Sequence, residues 1–166
     1  FNNPAAVRAH EETTGVEIWE QTNGQVGAFV ASVGAAGTFL GTSRALKARN
    51  PAIACYPVEP VTARFIAAGA AGVTNPGHKI QGTGYVMVPP LWQAELVDGF
   101  LSVSDDEAVA TARSLATREG IFAGFSAGAN VFAALQVAAT CAPGMIVATI
   151  ACDTGLKYLS TDLWPE

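Results

Sequence analysis

Apolar residues in this chain fall into short runs separated by glycine, proline and charge, and the runs alternate between two periods. Residues 27–33, Gly-Ala-Phe-Val-Ala-Ser-Val, are small and apolar without interruption, which is the length and texture of a buried strand. Glycines follow, and 38–49 reads as a helix that Asn50-Pro51 stops. Residues 52–60 predict a second strand running into a loop. Units of this kind join parallel strands by right-handed crossovers, and strands covered by helices on both faces read as continuous apolar runs. The pattern therefore predicts an α/β fold, a layered, mostly parallel sheet flanked by helices, with 1–166 as one domain.

The flanking segments extend this picture. From Val7 the spacing is helical, and Thr14-Gly15-Val16-Glu17 has capping-box spacing, predicting a short helix to about Gln21 before a turn at Asn23-Gly24. Residues 75–90 are too rich in Gly and Pro for regular helix and predict a long, ordered loop. Ser104-Asp105-Asp106-Glu107 is a second capping box, opening a helix to about Glu119 whose acidic first turn suits the positive helix end. Residues 123–129 lead into an apolar helix ending near Thr140, and 145–151 predict the last strand. The opening Phe1-Asn2-Asn3-Pro4 shows no initiator Met and no clear start to an element, and reads as the start of a fragment.

Composition narrows the function classes. The chain has 166 residues, half of them apolar, and a formal charge of −5 without any Lys/Arg run, so nothing marks it for nucleic acid or an anionic membrane. The apolar runs break well before the roughly 18 residues that span a bilayer, and the start lacks a signal-peptide pattern, so a cytoplasmic location is expected. Cys55, Cys141 and Cys152 are odd in number and lack CxxC spacing; they read as buried, reduced thiols rather than a disulfide or zinc framework.

Three places carry candidate chemistry. Gly34, Ala35, Ala36, Gly37 and Thr38 lie between a strand and a helix start, where glycines let backbone N–H groups approach an anion and the helix dipole favours it. Such turns also serve only to pack a helix on a sheet. Ser126 stands in Gly124-Phe125-Ser126-Ala127-Gly128, which reads either as a helix N-cap or as a nucleophile elbow. Elbow hydrolases place their His after the serine, and here only His10 and His78 exist, both upstream, so the hydrolase reading is set aside. His78 and Lys79 read as solvent-facing loop residues or as acid, base or Schiff-base groups, and Asp153 as a turn former or a ligand contact at the carboxyl end of the sheet.

The order of these motifs resembles the cysteine synthase (O-acetylserine sulfhydrylase) family of fold-type II pyridoxal-phosphate enzymes. The resemblance covers essentially the whole chain. It rests on Phe1-Asn2-Asn3-Pro4, Glu12-Thr13-Thr14-Gly15, Glu17-Ile18-Trp19-Glu20, the turn from Gly34 to Thr38, Glu59-Pro60, His78-Lys79-Ile80-Gln81-Gly82, Gly120-Ile121, Ser126-Ala127-Gly128-Ala129 and Lys157-Tyr158-Leu159-Ser160-Thr161. It implies the second half of such an enzyme, its larger, cofactor-cradling domain. It also implies that Gly34, Ala35, Ala36, Gly37 and Thr38 grip the phosphate of pyridoxal 5'-phosphate, that Ser126 bonds its pyridine nitrogen, and that Gly82 sits at the active-site entrance. Two positions depart from the family's Gly-Thr-Gly-Gly-Thr turn: Ala35 lacks a hydroxyl and Ala36 adds a Cβ. The implied reaction is β-replacement, O-acetylserine plus sulfide to cysteine plus acetate. A cystathionine β-synthase-like enzyme and a non-catalytic binding module are the alternatives. The Schiff-base lysine and the substrate-carboxylate loop belong to the family's first half, and Lys47, Lys79 and Lys157 match neither. The implied partners are that first half, a second copy in a homodimer, and serine acetyltransferase.

Overall fold

A computed structural model describes residues 1–75 and 77–164; Pro76, within the loop expected over 75–90, and Pro165 and Glu166, at the end of 1–166, lie outside the described residues. Helix α1, Pro4–Glu12, starts where the sequence showed no element: the Asn3 side chain accepts from the Ala5 amide at 3.0 Å, and Pro4 takes the first helical position, where a missing N–H costs nothing. Helix α2, Thr14–Gln21, follows after one residue. The expected capping box at Thr14 is not formed. Thr14 lies inside α2, and its hydroxyl is 2.9 Å from His10 Nδ1 instead.

Strand β1, Val26–Ser32, leads into α3, Gly37–Arg49, then β2, Ala54–Pro60, all close to expectation. A one-turn helix α4, Phe65–Ala68, opens the long connection to β3, Leu101–Val103, which includes the expected loop. The capping box at Ser104 forms: the Ser104 amide donates to Glu107 Oε2 at 2.8 Å and the Glu107 amide to Ser104 Oγ at 3.3 Å. Helix α5, Asp105–Ser114, continues as a wider π turn, Leu115–Glu119. Helix α6, Phe125–Ala138, and β4, Ile146–Thr149, complete the order.

The four strands run parallel in the order β3-β2-β1-β4. β1 is central, and its side chains serve both faces, which is why its sequence shows no polar alternation. Phe29, Ala31 and Val33 join Val7, Phe39, Leu40 and Leu46 under α1 and α3, whereas Ala28 and Val30 join Ala108, Ala129 and Ala133 under α5 and α6. Full burial of an aromatic or large aliphatic side chain is worth about 1.5–3 kcal/mol, so Phe29 and Phe39, both fully buried, anchor the first layer. Phe39 also stacks on Trp92 at 5.8 Å, which pins the long β2–β3 connection to the core. Among the described residues no helix is long and apolar enough to cross a membrane.

One buried polar side chain ties these layers together. Asn130, on α6 and fully buried, accepts from the Ser32 amide at 2.7 Å and donates to the Ile150 carbonyl at 2.8 Å. It joins the exits of β1 and β4 through α6. Removing it leaves the half-buried Ser32 amide and Ile150 carbonyl without this partner, each costing about 1 kcal/mol or more. Asn130→Ala is expected to lower the urea midpoint by the equivalent of about 2 kcal/mol or more; an unchanged midpoint would contradict this junction.

Candidate cofactor site

β1 pairs with β2 on one side and β4 on the other, so the chain leaves the carboxyl end of β1 at the point where the strand order reverses. Open α/β sheets bind ligands at such a point. A cleft of about 460 Å³ lies there. Of the residues singled out from sequence it gathers Gly34, Ala35, Ala36, Gly37, Thr38, Gly82, Ser126, Asp153 and His10. His78 is not among its lining residues, and Lys79 is drawn away, its amide donating to Asp105 and its ammonium pairing with Asp162.

The helices α3 and α6 both begin at this cleft, so two positive helix ends meet there. At α3 the amides of residues 34–39 donate to no acceptor among the described residues, and the first amide engaged is that of Leu40, to the Ala36 carbonyl at 2.9 Å. A row of free N–H groups at a helix start fits a phosphate. Glycine is required at position 34 because a Cβ there would overlap the Gly82 carbonyl oxygen. Gly82 itself has φ of +83°, and the Gly84 amide reaches the Val33 carbonyl at 3.3 Å, docking this loop on the turn.

The departure at Ala36 has a structural consequence. Its φ is +69°, left-handed backbone that costs a non-glycine residue roughly 1–2 kcal/mol. At 2 % exposure, however, Ala36 belongs to the apolar cluster with Val7 and Phe39, so its methyl is taken up by the core. The turn pays in strain and keeps its shape. The residues present therefore fit a phosphorylated cofactor.

Ser126 is not the helix N-cap. Gly124 holds that position without a side-chain cap, and Ser126 is the second residue of α6, 6 % exposed and facing the cleft. Beside it stands Cys152, which corrects the expectation of buried thiols: Cys55 is fully buried and Cys141 partly so, but Cys152 is an exposed residue whose sulfur meets Asn130 Nδ2 at 3.4 Å. Desolvation of that sulfur pushes the thiol pKa up, which favours its protonated form. Among the described residues no cluster could hold a metal ion.

His10 was noticed in the sequence only as a rejected base. It bridges Thr14, 2.9 Å from Nδ1, and Thr38, 3.1 Å from Nε2. With its proton on Nε2, the imidazole accepts from Thr14 and donates to Thr38, which leaves the Thr38 hydroxyl proton free to donate into the cleft. No helix-spacing rule reveals this bridge, because it links three elements.

Comparison with known proteins agrees with this geometry. The model of the family described as "Pyridoxal-phosphate dependent enzyme" matches residues 1–153. A probable cysteine synthase of Bacillus subtilis is 41% identical over 99% of this chain and 52% of its own length. Cysteine synthase A of Escherichia coli is 42% identical over 100% of this chain and 53% of its own. The crystal structure of an O-acetylserine dependent cystathionine β-synthase from Helicobacter pylori superposes with a TM-score of 0.90 at 37% identity, over 98% of this chain and 52% of that one. The chain thus spans about half the length of the relatives it matches.

Burial holds the His10 pKa below its ordinary value. The unfolded chain then binds this proton more readily, so stability present above about pH 6.5 is lost as pH falls below it. The stability difference between wild type and His10→Gln is expected to shrink as thermal unfolding is followed from pH 8 to pH 5. Parallel profiles would contradict a desolvated, neutral His10.

Proposed function

The chain belongs to the pyridoxal-phosphate-dependent enzyme family, and we propose that it is the cofactor-cradling half of a cysteine synthase-like enzyme of fold type II. The observation that carries the reading is the row of free amides at the start of α3, set against Gly34 and Gly82 in one cleft with Ser126. In this reading residues 1–166 act as one domain, and Gly34, Ala35, Ala36, Gly37 and Thr38 hold the phosphate of pyridoxal 5'-phosphate. The backbone supplies most of that grip, since Ala35 offers no hydroxyl. Thr38 adds one hydroxyl, aimed by His10. Ser126 meets the pyridine nitrogen at the start of α6.

The bound cofactor supplies an electron sink for loss of a β-substituent from an amino acid. The chain's own contribution is to bind and orient. The cleft also contains one lysine, Lys157, whose side chain is 64% exposed and lies 3.8 Å from Asp153. It matches no Schiff-base position, so the lysine comes from a first half supplied with this chain. The relatives' names support cysteine as the product and O-acetylserine as a substrate, and the proposed β-replacement then takes sulfide and releases acetate. The likeness to an O-acetylserine dependent cystathionine β-synthase supports a second reading, in which a larger thiol replaces sulfide. A homodimer, and contact with serine acetyltransferase, belong to the same proposal.

Mixing this chain with the first half of a cysteine synthase is expected to give cysteine from O-acetylserine and sulfide. Ser126→Ala is expected to lower the rate about tenfold or more, the worth of one hydrogen bond to a group that gains charge. Cystathionine formed from homocysteine in preference would select the second reading, and no product in either assay would leave a non-catalytic binding module.

A further inference from the structure

Resting on the reading of the cleft as a cofactor site, we propose that Asp153 is the counter-charge for the cofactor's ring nitrogen, acting beside Ser126 through its own carboxylate. The proposal starts from a backbone arrangement. An antiparallel bridge pairs Ala123 with Thr154, and the Gly155 amide donates to the Phe122 carbonyl at 3.0 Å. The segment after β4 thereby runs along the entry to α6. A Cβ on Gly124 would overlap both Asp153 Oδ1 and the Tyr158 ring. Glycine there makes room for the pair.

The two carboxylate oxygens are treated differently. Oδ2 accepts from the Tyr158 hydroxyl at 2.6 Å and lies 3.8 Å from the Lys157 ammonium. Oδ1 is buried and has no hydrogen-bond partner among the described residues. Leaving a carboxylate oxygen buried and unpartnered is unfavourable, which calls for a reason. Capping α6 is not the reason, because Oδ1 accepts none of the amides of its first turn. Asp153 is also the one carboxylate among the described residues that line the cleft.

A pyridine nitrogen beside a lone hydroxyl accepts a hydrogen bond and stays neutral, whereas a nearby carboxylate favours its protonated form. With Asp153 at this end, the Ser126 hydroxyl accepts from the ring N–H⁺, and the ring becomes a stronger electron sink than serine alone would make it. The other groups at this end do not oppose the effect. Tyr158 is pushed up to about 12 by burial and by Asp153, desolvation of its sulfur pushes the Cys152 thiol up, and Lys157 is largely solvated; His10 stands with Thr38 at the glycine turn.

Ring-¹⁵N pyridoxamine 5'-phosphate, which lacks an aldehyde and needs no lysine, reports the protonation directly through its ¹⁵N shift against pH on the bound chain. Asp153→Asn is expected to lower the ring-nitrogen pKa by at least about one unit. Asp153→Ser, smaller and also uncharged, must show the same fall, and it carries the test should the Asn variant not fold. Tyr158→Phe keeps the carboxylate and is expected to stay near wild type. An unshifted pKa in the Asn and Ser variants, with ligand still bound, would overturn the proposal alone, as would an equal fall in Tyr158→Phe. Failure of the wild-type chain to bind the ligand would overturn both this proposal and the cofactor reading.

Discussion

The side chain of Asn130 sets the spacing on which the cleft depends. It holds the last amide of β1 and the carbonyl just beyond β4 to the second turn of α6. The start of α6 is thereby fixed on one side to the strand that precedes the glycine turn and on the other to the segment leading to Asp153. An apolar residue at 130 would leave these strand ends without their shared partner, in a core where unpaired polar groups are costly. Packing above and below the sheet then reinforces a geometry that two hydrogen bonds define.

Much of the fold could be read from hydrophobic pattern because the central strand is buried on both faces. The runs at 27–33 and 52–60 lie within a residue or two of the observed β1 and β2, and the Ser104 box marks the start of α5 to the residue. Reading failed where a local signal had two meanings. Asn3-Pro4 is a turn dipeptide and equally a cap followed by a first helical position, and only packing of α1 on α3 decides between them. Thr14 has capping spacing, yet His10 lies one turn before it in a helix that had already begun.

The candidate site was legible in its glycines and in Ser126, and illegible in what supports them. Gly34 announces itself by its position between strand and helix, but its reason is a backbone in another segment, Gly82, that sequence distance conceals. The Thr14–His10–Thr38 bridge and the Asp153–Tyr158 pair are likewise contacts between elements. An Asn in the mostly apolar α6 is the one sequence signal for the Asn130 junction, since buried amides are present to satisfy backbone groups. Ala36 shows the same separation of causes: the turn demands left-handed backbone, and the core absorbs the methyl that the sequence supplies.

If the free amides of residues 34–39 form a phosphate cradle, calorimetric titration will separate pyridoxamine 5'-phosphate from unphosphorylated pyridoxamine. Binding is expected of the phosphorylated ligand alone, and is abolished in a folded Gly34→Ala chain because its new methyl group displaces the Gly82 loop. Equal binding of the two ligands, or undiminished binding by Gly34→Ala, would contradict the cradle.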